Sequence, residues 1–152
     1  MFIHTRTRLF CELHRAERWL THEDFLVKWL KGEKTKLEII DVETREKVEA
    51  VWKTLDDEGN EIKDRVVFHL MPCASRTQYC TEVHVVVHPD PGRFGVVAEE
   101  LGSLEFEVFS SWKDLAMKAW KQRLEALREC VNGDWVIEDR DLTHPALLRS
   151  RL

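Results

Sequence analysis

No stretch of the chain approaches the roughly 18 uncharged apolar residues that a membrane-spanning helix requires. The opening run MFIHTRTRLF is broken by His4, Arg6 and Arg8 and so makes no secretory h-region either. Both absences point to a cytoplasmic protein without a membrane span. No C-x-x-C pair occurs among Cys11, Cys73, Cys80 and Cys130, which leaves reduced, buried or half-buried thiols as the expectation. Cys73 and Cys80 flank one turn, and a reducing compartment predicts that they stay unbonded. There is no basic footprint: the net charge is -5 and the basic residues are interleaved with acids, which speaks against nucleic acid as a partner. G-x-S-x-G, a phosphate-binding loop and carboxylates paired at a fixed spacing are all missing, so the sequence offers no catalytic residues, no metal and no cofactor. With 43% hydrophobic and 34% charged residues in 152, the composition is that of one globular domain, neither disordered nor fibrous.

What is present is a long amphipathic segment, Ser110 to Val131. Trp112, Ala116, Ala119, Trp120, Leu124, Leu127 and Val131 recur at three- and four-residue steps and form one stripe on a helix. Ser111 with Asp114 reads as its N-terminal cap, and Asn132-Gly133 as its left-handed stop. A stripe with two tryptophans over about six turns needs a broad apolar surface to lie on. The strands are the only such surface in the chain, so the helix is expected to face a sheet.

Ile3 to Glu12 reads as a first strand with one wet face, carrying His4, Arg6 and Arg8. Leu13 to Leu20 forms a short helix, and Thr21 is placed to cap a second one with Asp24, ahead of Phe25, Leu26, Trp29 and Leu30, until Gly32 stops it. Four strands follow at Leu37 to Val42, Lys47 to Leu55, Ile62 to Met71 and Gln78 to His88. Their polar turns are short, which makes neighbours antiparallel. Val48, Ala50 and Trp52, then Val66, Phe68 and Leu70, then Val83, Val85 and Val87 give three strands an apolar face aimed at the helix. Glu49, Lys53, Arg65, His69, Glu82, His84 and His88 fall on the opposite, wet face. The segment Pro89 to Phe109 is too apolar for a solvated loop and is expected to cover one end of the sheet–helix sandwich. A single domain over residues 1–131 and a partly flexible tail over 132–152 complete the reading.

This order of elements resembles the helix-grip fold of the START-like, or SRPBCC, superfamily, an α+β fold. Two motifs sharpen the resemblance. RAERWLTHEDFLVKWL, Arg15 to Leu30, resembles a segment of the heat-shock ATPase activator branch, with Trp19, Leu20, Thr21 and Trp29 at its marked positions. Ala119-Trp120 followed by Leu124, Leu127 and Val131 resembles that branch's last helix, and Thr81 to Val87 the strand before it. The branch usually has glycine where this chain has Ala119. It also commonly inserts a hairpin that Leu37 to Arg45 leaves out, so the sheet is expected to be one or two strands smaller and the enclosed cavity reduced.

The resemblance implies a cavity between sheet and last helix, reached past the helix pair. Its lining maps onto Phe25, Trp29, Trp52, Phe68, Val85, Trp112, Ala116 and Trp120, a largely aromatic wall suited to a small hydrophobic ligand. The same residues would equally fill a close-packed core. His69, His84 and His88 lie on neighbouring strands, but on the wet face they read as solvated histidines rather than metal ligands. Three functions compete. The first is a ligand-binding protein; the second is a module for a protein partner, like the heat-shock ATPase activator, acting through its acidic surface or Pro89 to Phe109. The third is a cyclase-like enzyme, which needs a polar side chain inside the cavity. Arg65, His69 and Glu49 are its nearest candidates, and they fall on the outer face, so an enzyme is disfavoured.

Overall fold

The computed structural model describes residues 1–73, 80–93 and 103–142, with the side chains of the last helix described for 109–133. Strand β1 (Ile3–Leu9) leads into helices α1 (Leu13–Thr21) and α2 (Glu23–Leu30) and a 3-10 turn (Lys31–Lys36). The meander β2 (Leu37–Glu43), β3 (Lys47–Leu55), β4 (Glu61–Pro72) and β5 (Thr81–His88) follows, then helix α3 (Ser103–Leu142). The five strands form one antiparallel sheet in the order β1-β5-β4-β3-β2. Its curved inner face holds α3, as the apolar alternation predicts.

The pleat places Val48, Phe68 and Val85 side by side in one inner row, and Ala50, Val66, Val87 and Ile3 in the next. All seven are at most 1% exposed. Against them α3 lays Trp120, Leu124, Leu127 and Val131, none more than 2% exposed. Burying each such aliphatic side chain contributes roughly 1.5–3 kcal/mol, so this interface supplies the core.

Helices α1 and α2 pack as a pair because Trp29 Nε1 donates to the Trp19 carbonyl at 2.9 Å. That carbonyl lies in the last turn of α1, where no helical partner exists. Thr21 is not the cap expected of it. It sits inside α1 with its hydroxyl donating back to the Glu17 carbonyl at 2.8 Å, and His22 separates the helices without a side-chain cap. Lys31, with φ of 51°, ends α2, one residue before the expected Gly32.

Two further expectations are corrected by α3. It begins at Ser103, so Leu104, Phe106 and Val108 are helical, and Ser111 is internal and caps nothing. It also runs through Asn132-Gly133 to Leu142. An internal glycine costs a helix only about 1 kcal/mol, while Asn132 is anchored to the start of the chain, its Oδ1 accepting the Phe10 N–H at 3.2 Å. Phe94, Val96, Val97 and Leu101, and Gln78 at the start of the fourth predicted run, lie outside the described residues.

Cys73 and Cys80 form a disulfide across the β4–β5 hairpin, which overturns the expectation of an unbonded pair. The reason is the ladder itself. Pro72 pairs with Thr81, and the Cys73 N–H donates to the Cys80 carbonyl at 3.1 Å, so the two Cα atoms stand 5.3 Å apart, within disulfide reach.

Candidate functional site

The inner face changes character toward the end of the sheet where β3 finishes. Beyond the row of Ala50 and Val66, the next inner positions are Leu37, Trp52 and Asp64. Trp52 meets Trp120 of α3 edge to face, centroids 5.2 Å apart, and Phe68 meets the same ring at 6.2 Å. The rings themselves therefore close the space between Trp120 and the strand carrying Trp52.

Arg123, three residues along α3, lays its guanidinium on both tryptophans, 4.0 Å from the Trp52 ring centre and 4.8 Å from that of Trp120. Its side chain is 15% exposed. Nη2 donates to Glu33 Oε2 at 3.3 Å, and the same oxygen accepts from Lys36 Nζ at 3.3 Å. Among the described residues the buried Nε has no hydrogen-bond partner. Burial works to raise the Glu33 carboxyl, but Arg123 and Lys36 together outweigh it and hold the group below its ordinary value.

Above Trp52 a second charged pair is built from the same end of the sheet. Asp64, 5% exposed, accepts from Arg93 Nε at 3.1 Å and Nη2 at 2.5 Å and from the Asp90 N–H at 2.9 Å. Arg93 in turn lies 5.6 Å from the centre of the Trp112 ring, which touches Phe109. The Asp64 carboxylate thus has its acceptor sites taken by the strap that follows β5.

Beside this cluster runs an open groove of about 460 Å³, bounded by Trp29, Leu30, Lys31, Gly32 and Glu33 on one side and Ala119, Gln122, Arg123 and Ala126 on the other. Of the eight lining candidates, all join the same core cluster: Trp29, Trp52, Phe68, Val85 and Trp120 are buried, and Phe25, Trp112 and Ala116 are partly buried against it. Trp29 alone among them borders the groove.

Sequence reading missed Asp64, Arg93, Arg123 and Glu33. Asp64 was legible, since the inward alternation Leu70, Phe68, Val66 continues to it. Arg123 follows Ala116 and Trp120 at helical spacing and flanks the stripe. Nothing local marks Arg93 or Glu33, whose roles arise only from the fold.

Glu49, Arg65 and His69, the catalytic candidates, lie on the outer face. Glu49 and Arg65 pair with each other there. Of the three histidines, His69 and His84 stand opposite each other in the β4–β5 ladder, but the ring contact of His84 is with His4: the two rings stack 5.1 Å apart with a nitrogen–nitrogen contact of 2.8 Å. His84 also reaches Glu82 at 2.9 Å, and Arg6 reaches the same carboxylate at 3.1 Å. Among the described residues no group of three metal-ligating side chains is placed to hold an ion.

No protein-family profile matches the chain. No characterised protein matches it by sequence either. Solved structures do. A Chromobacterium violaceum protein aligns over 86% of this chain and 96% of its own with a TM-score of 0.57 at 14% identity. A Mesorhizobium loti protein aligns over 87% and 97% with a TM-score of 0.54 at 15% identity. An HSP90 activator from Plasmodium falciparum superposes more loosely, with a TM-score of 0.47 over 66% of this chain and 84% of its own at 12% identity, too loosely to bear on function here. The first two likenesses establish the fold: an α+β helix-grip fold of the START-like kind, with a five-stranded sheet, a helix pair after the first strand and a long C-terminal helix. No helix of the described residues is long and apolar enough to cross a membrane.

Proposed function

We propose that this helix-grip domain binds a small, largely hydrophobic molecule, which seats in the groove between α2 and α3, against Trp29 and Arg123. One observation carries the reading. The sheet–helix interface is sealed by aliphatic side chains over most of its length, but at the Trp52 end it is built from aromatic rings and an under-bonded arginine bordering open space of about 460 Å³. Clefts that hold small ligands fall in this size range and share this mix of apolar wall and few polar groups. In this reading Trp29 lines the groove, and Trp52 and Trp120 lie behind Arg123. Phe68, Val85, Phe25, Trp112 and Ala116 belong to the core cluster that backs them.

Titration with an apolar fluorescent probe tests it. Stoichiometric binding that raises the melting temperature and fails in Trp29→Ala supports the reading. Absence of saturable binding at any accessible concentration defeats it.

A second reading, a module for a protein partner, is favoured by β2, an edge strand among the described residues, where Ile40 is 56% and Val42 39% exposed. Unpaired edges with apolar side chains invite strand addition. Recovery of a partner by the whole chain and its loss in Ile40→Lys discriminates the two. A cyclase-like enzyme is set aside because Asp64, the inner-face carboxylate, is committed to Arg93 and the Asp90 N–H. A cytoplasmic setting belongs to the proposal too. The Cys73–Cys80 bond weighs against it, and counting free thiols in protein taken directly from cells decides the point.

A further inference from the structure

Arg123 is the least satisfied charged group at the groove. A guanidinium offers five N–H donors in a rigid fork. Among the described residues its one hydrogen bond runs from Nη2 to Glu33 at 3.3 Å, longer than a charge-assisted bond normally is. The side chain is only 15% exposed, and Nε is buried without a partner. Buried donors are expensive to leave unmade, and nearly all in folded proteins are paired. The exception here lies against the rings of Trp52 and Trp120, on a side chain that also lines the groove.

The counter-ion is poorly committed as well. Glu33 is 42% exposed, sits on a six-residue 3-10 segment, and divides one oxygen between Arg123 and Lys36. Among the described residues nothing else holds it over the guanidinium. The groove around this pair is lined by small residues, Ala119 and Ala126 on α3 and Gly32, where an added Cβ would meet nothing within 4 Å. Trp29 and Leu30 add apolar surface, and Lys31 and Gln122 polar surface. The shape accepts a narrow apolar body lying along α3, and the charge at its head accepts an anion.

We infer that the groove recognises the carboxylate of a small, otherwise apolar acid, with Arg123 as the anchor and Glu33 as the resident carboxylate that the ligand's own replaces. The inference rests on the binding function proposed above and adds to it the class of ligand. A planar carboxylate matches the guanidinium fork and supplies the acceptors that Arg123 lacks. The rings of Trp52 and Trp120, set edge to face, flank the guanidinium and hold it in place while the exchange occurs.

The experiment is calorimetric titration of the whole chain with octanoate and 1-naphthoate, each beside the alcohol of the same carbon frame. The acids are expected to bind at least about tenfold tighter than the alcohols, in line with a charge-assisted pair. Arg123→Gln removes that difference. Glu33→Gln, an exposed change that leaves the core alone, tightens the acids several-fold by releasing Arg123 and leaves the alcohols where they were. Gly32→Phe fills the groove and abolishes binding of both. Equal affinity for acid and alcohol overturns this inference while leaving the binding proposal standing. So does acid binding weakened in Glu33→Gln or unchanged in Arg123→Gln. If neither acids nor alcohols bind the natural chain, this inference and the reading beneath it fall together.

Discussion

The two ends of the sheet–helix interface are made of different materials. Around Leu124, Leu127 and Val131 the contact is aliphatic and closed, and among the described residues the only buried charged side chain, Asp64, lies at the other end. Around Trp52 and Trp120 it is aromatic, holds two arginines, and borders a groove. Aliphatic packing answers only the need to hide surface, whereas the other end keeps Asp64–Arg93 and Arg123–Glu33 partly out of water at a desolvation cost. A chain selected for stability alone would fill that end with leucine. On the binding function proposed above, the contrast would divide folding from recognition between the two ends.

That division is sharpest where a mutation empties the sealed end. Leu127→Ala leaves a cavity at a site 0% exposed and should cost about 3 kcal/mol, within the usual range for such truncations, with ligand affinity unchanged. Urea unfolding with and without ligand measures both. Asp64→Ala strands Arg93 in a half-buried position and should cost slightly less, about 2–3 kcal/mol, because Arg93 can turn toward solvent. If Asp64→Ala proved neutral, that pair would belong with recognition rather than with the fold. Reduction of Cys73–Cys80 releases a short loop and should lower stability by about 2 kcal/mol, read as the difference between melts with and without reductant and absent in Cys73→Ser/Cys80→Ser. Arg123→Met should change stability by less than about 1 kcal/mol, since the lost ring contacts are offset by removing an unpaired donor. A loss of 3 kcal/mol there would erase the contrast between the ends.

Legibility in the sequence followed the same contrast. Period-two alternation in Val83, Val85 and Val87 and the three-four stripe of α3 fix the sealed end, because burial leaves aliphatic side chains no other arrangement. The order of elements and the Trp19 to Trp29 and Ala119-Trp120 motifs carried the fold. The functional end was only half visible. Its tryptophans read as wall or core alike, and Arg123 and Glu33 read as ordinary surface charges, since 90 residues separate them and only the turn after α2 brings them together. Helix ends were misread for a related reason. Ser111, Thr21 and Asn132-Gly133 all carry cap chemistry, but a stripe anchored on a sheet overrides a cap's about 1 kcal/mol, and Asn132 spends its side chain on Phe10.

The smallest expected effect separates the inner charges from the outer ones by pH. Burial first, then Lys47 and the imidazoles of His84 and His4, hold His69 below its ordinary value of 6.5, with Glu43 opposing; burial and then Arg65 and the chain's amino terminus do the same to His88. A histidine depressed in the folded state binds its proton more readily when unfolded. Stability from these two groups is therefore intact above pH 6.5 and falls as the pH drops through that value toward their folded values. Glu33, held low chiefly by Arg123 and Lys36 against its burial, loses its share only below 4.5. His69→Gln with His88→Gln should flatten the upper window and leave the lower one, whereas Glu33→Gln should flatten only part of the lower, both read from urea midpoints across pH 3.5 to 8 (roughly one unit either side of the ordinary values). If the upper window survives loss of both histidines, His69 and His88 are not its source. If Glu33→Gln flattens the whole of the lower window, the charged end of the interface is part of what holds the protein together, and the division between folding and recognition fails.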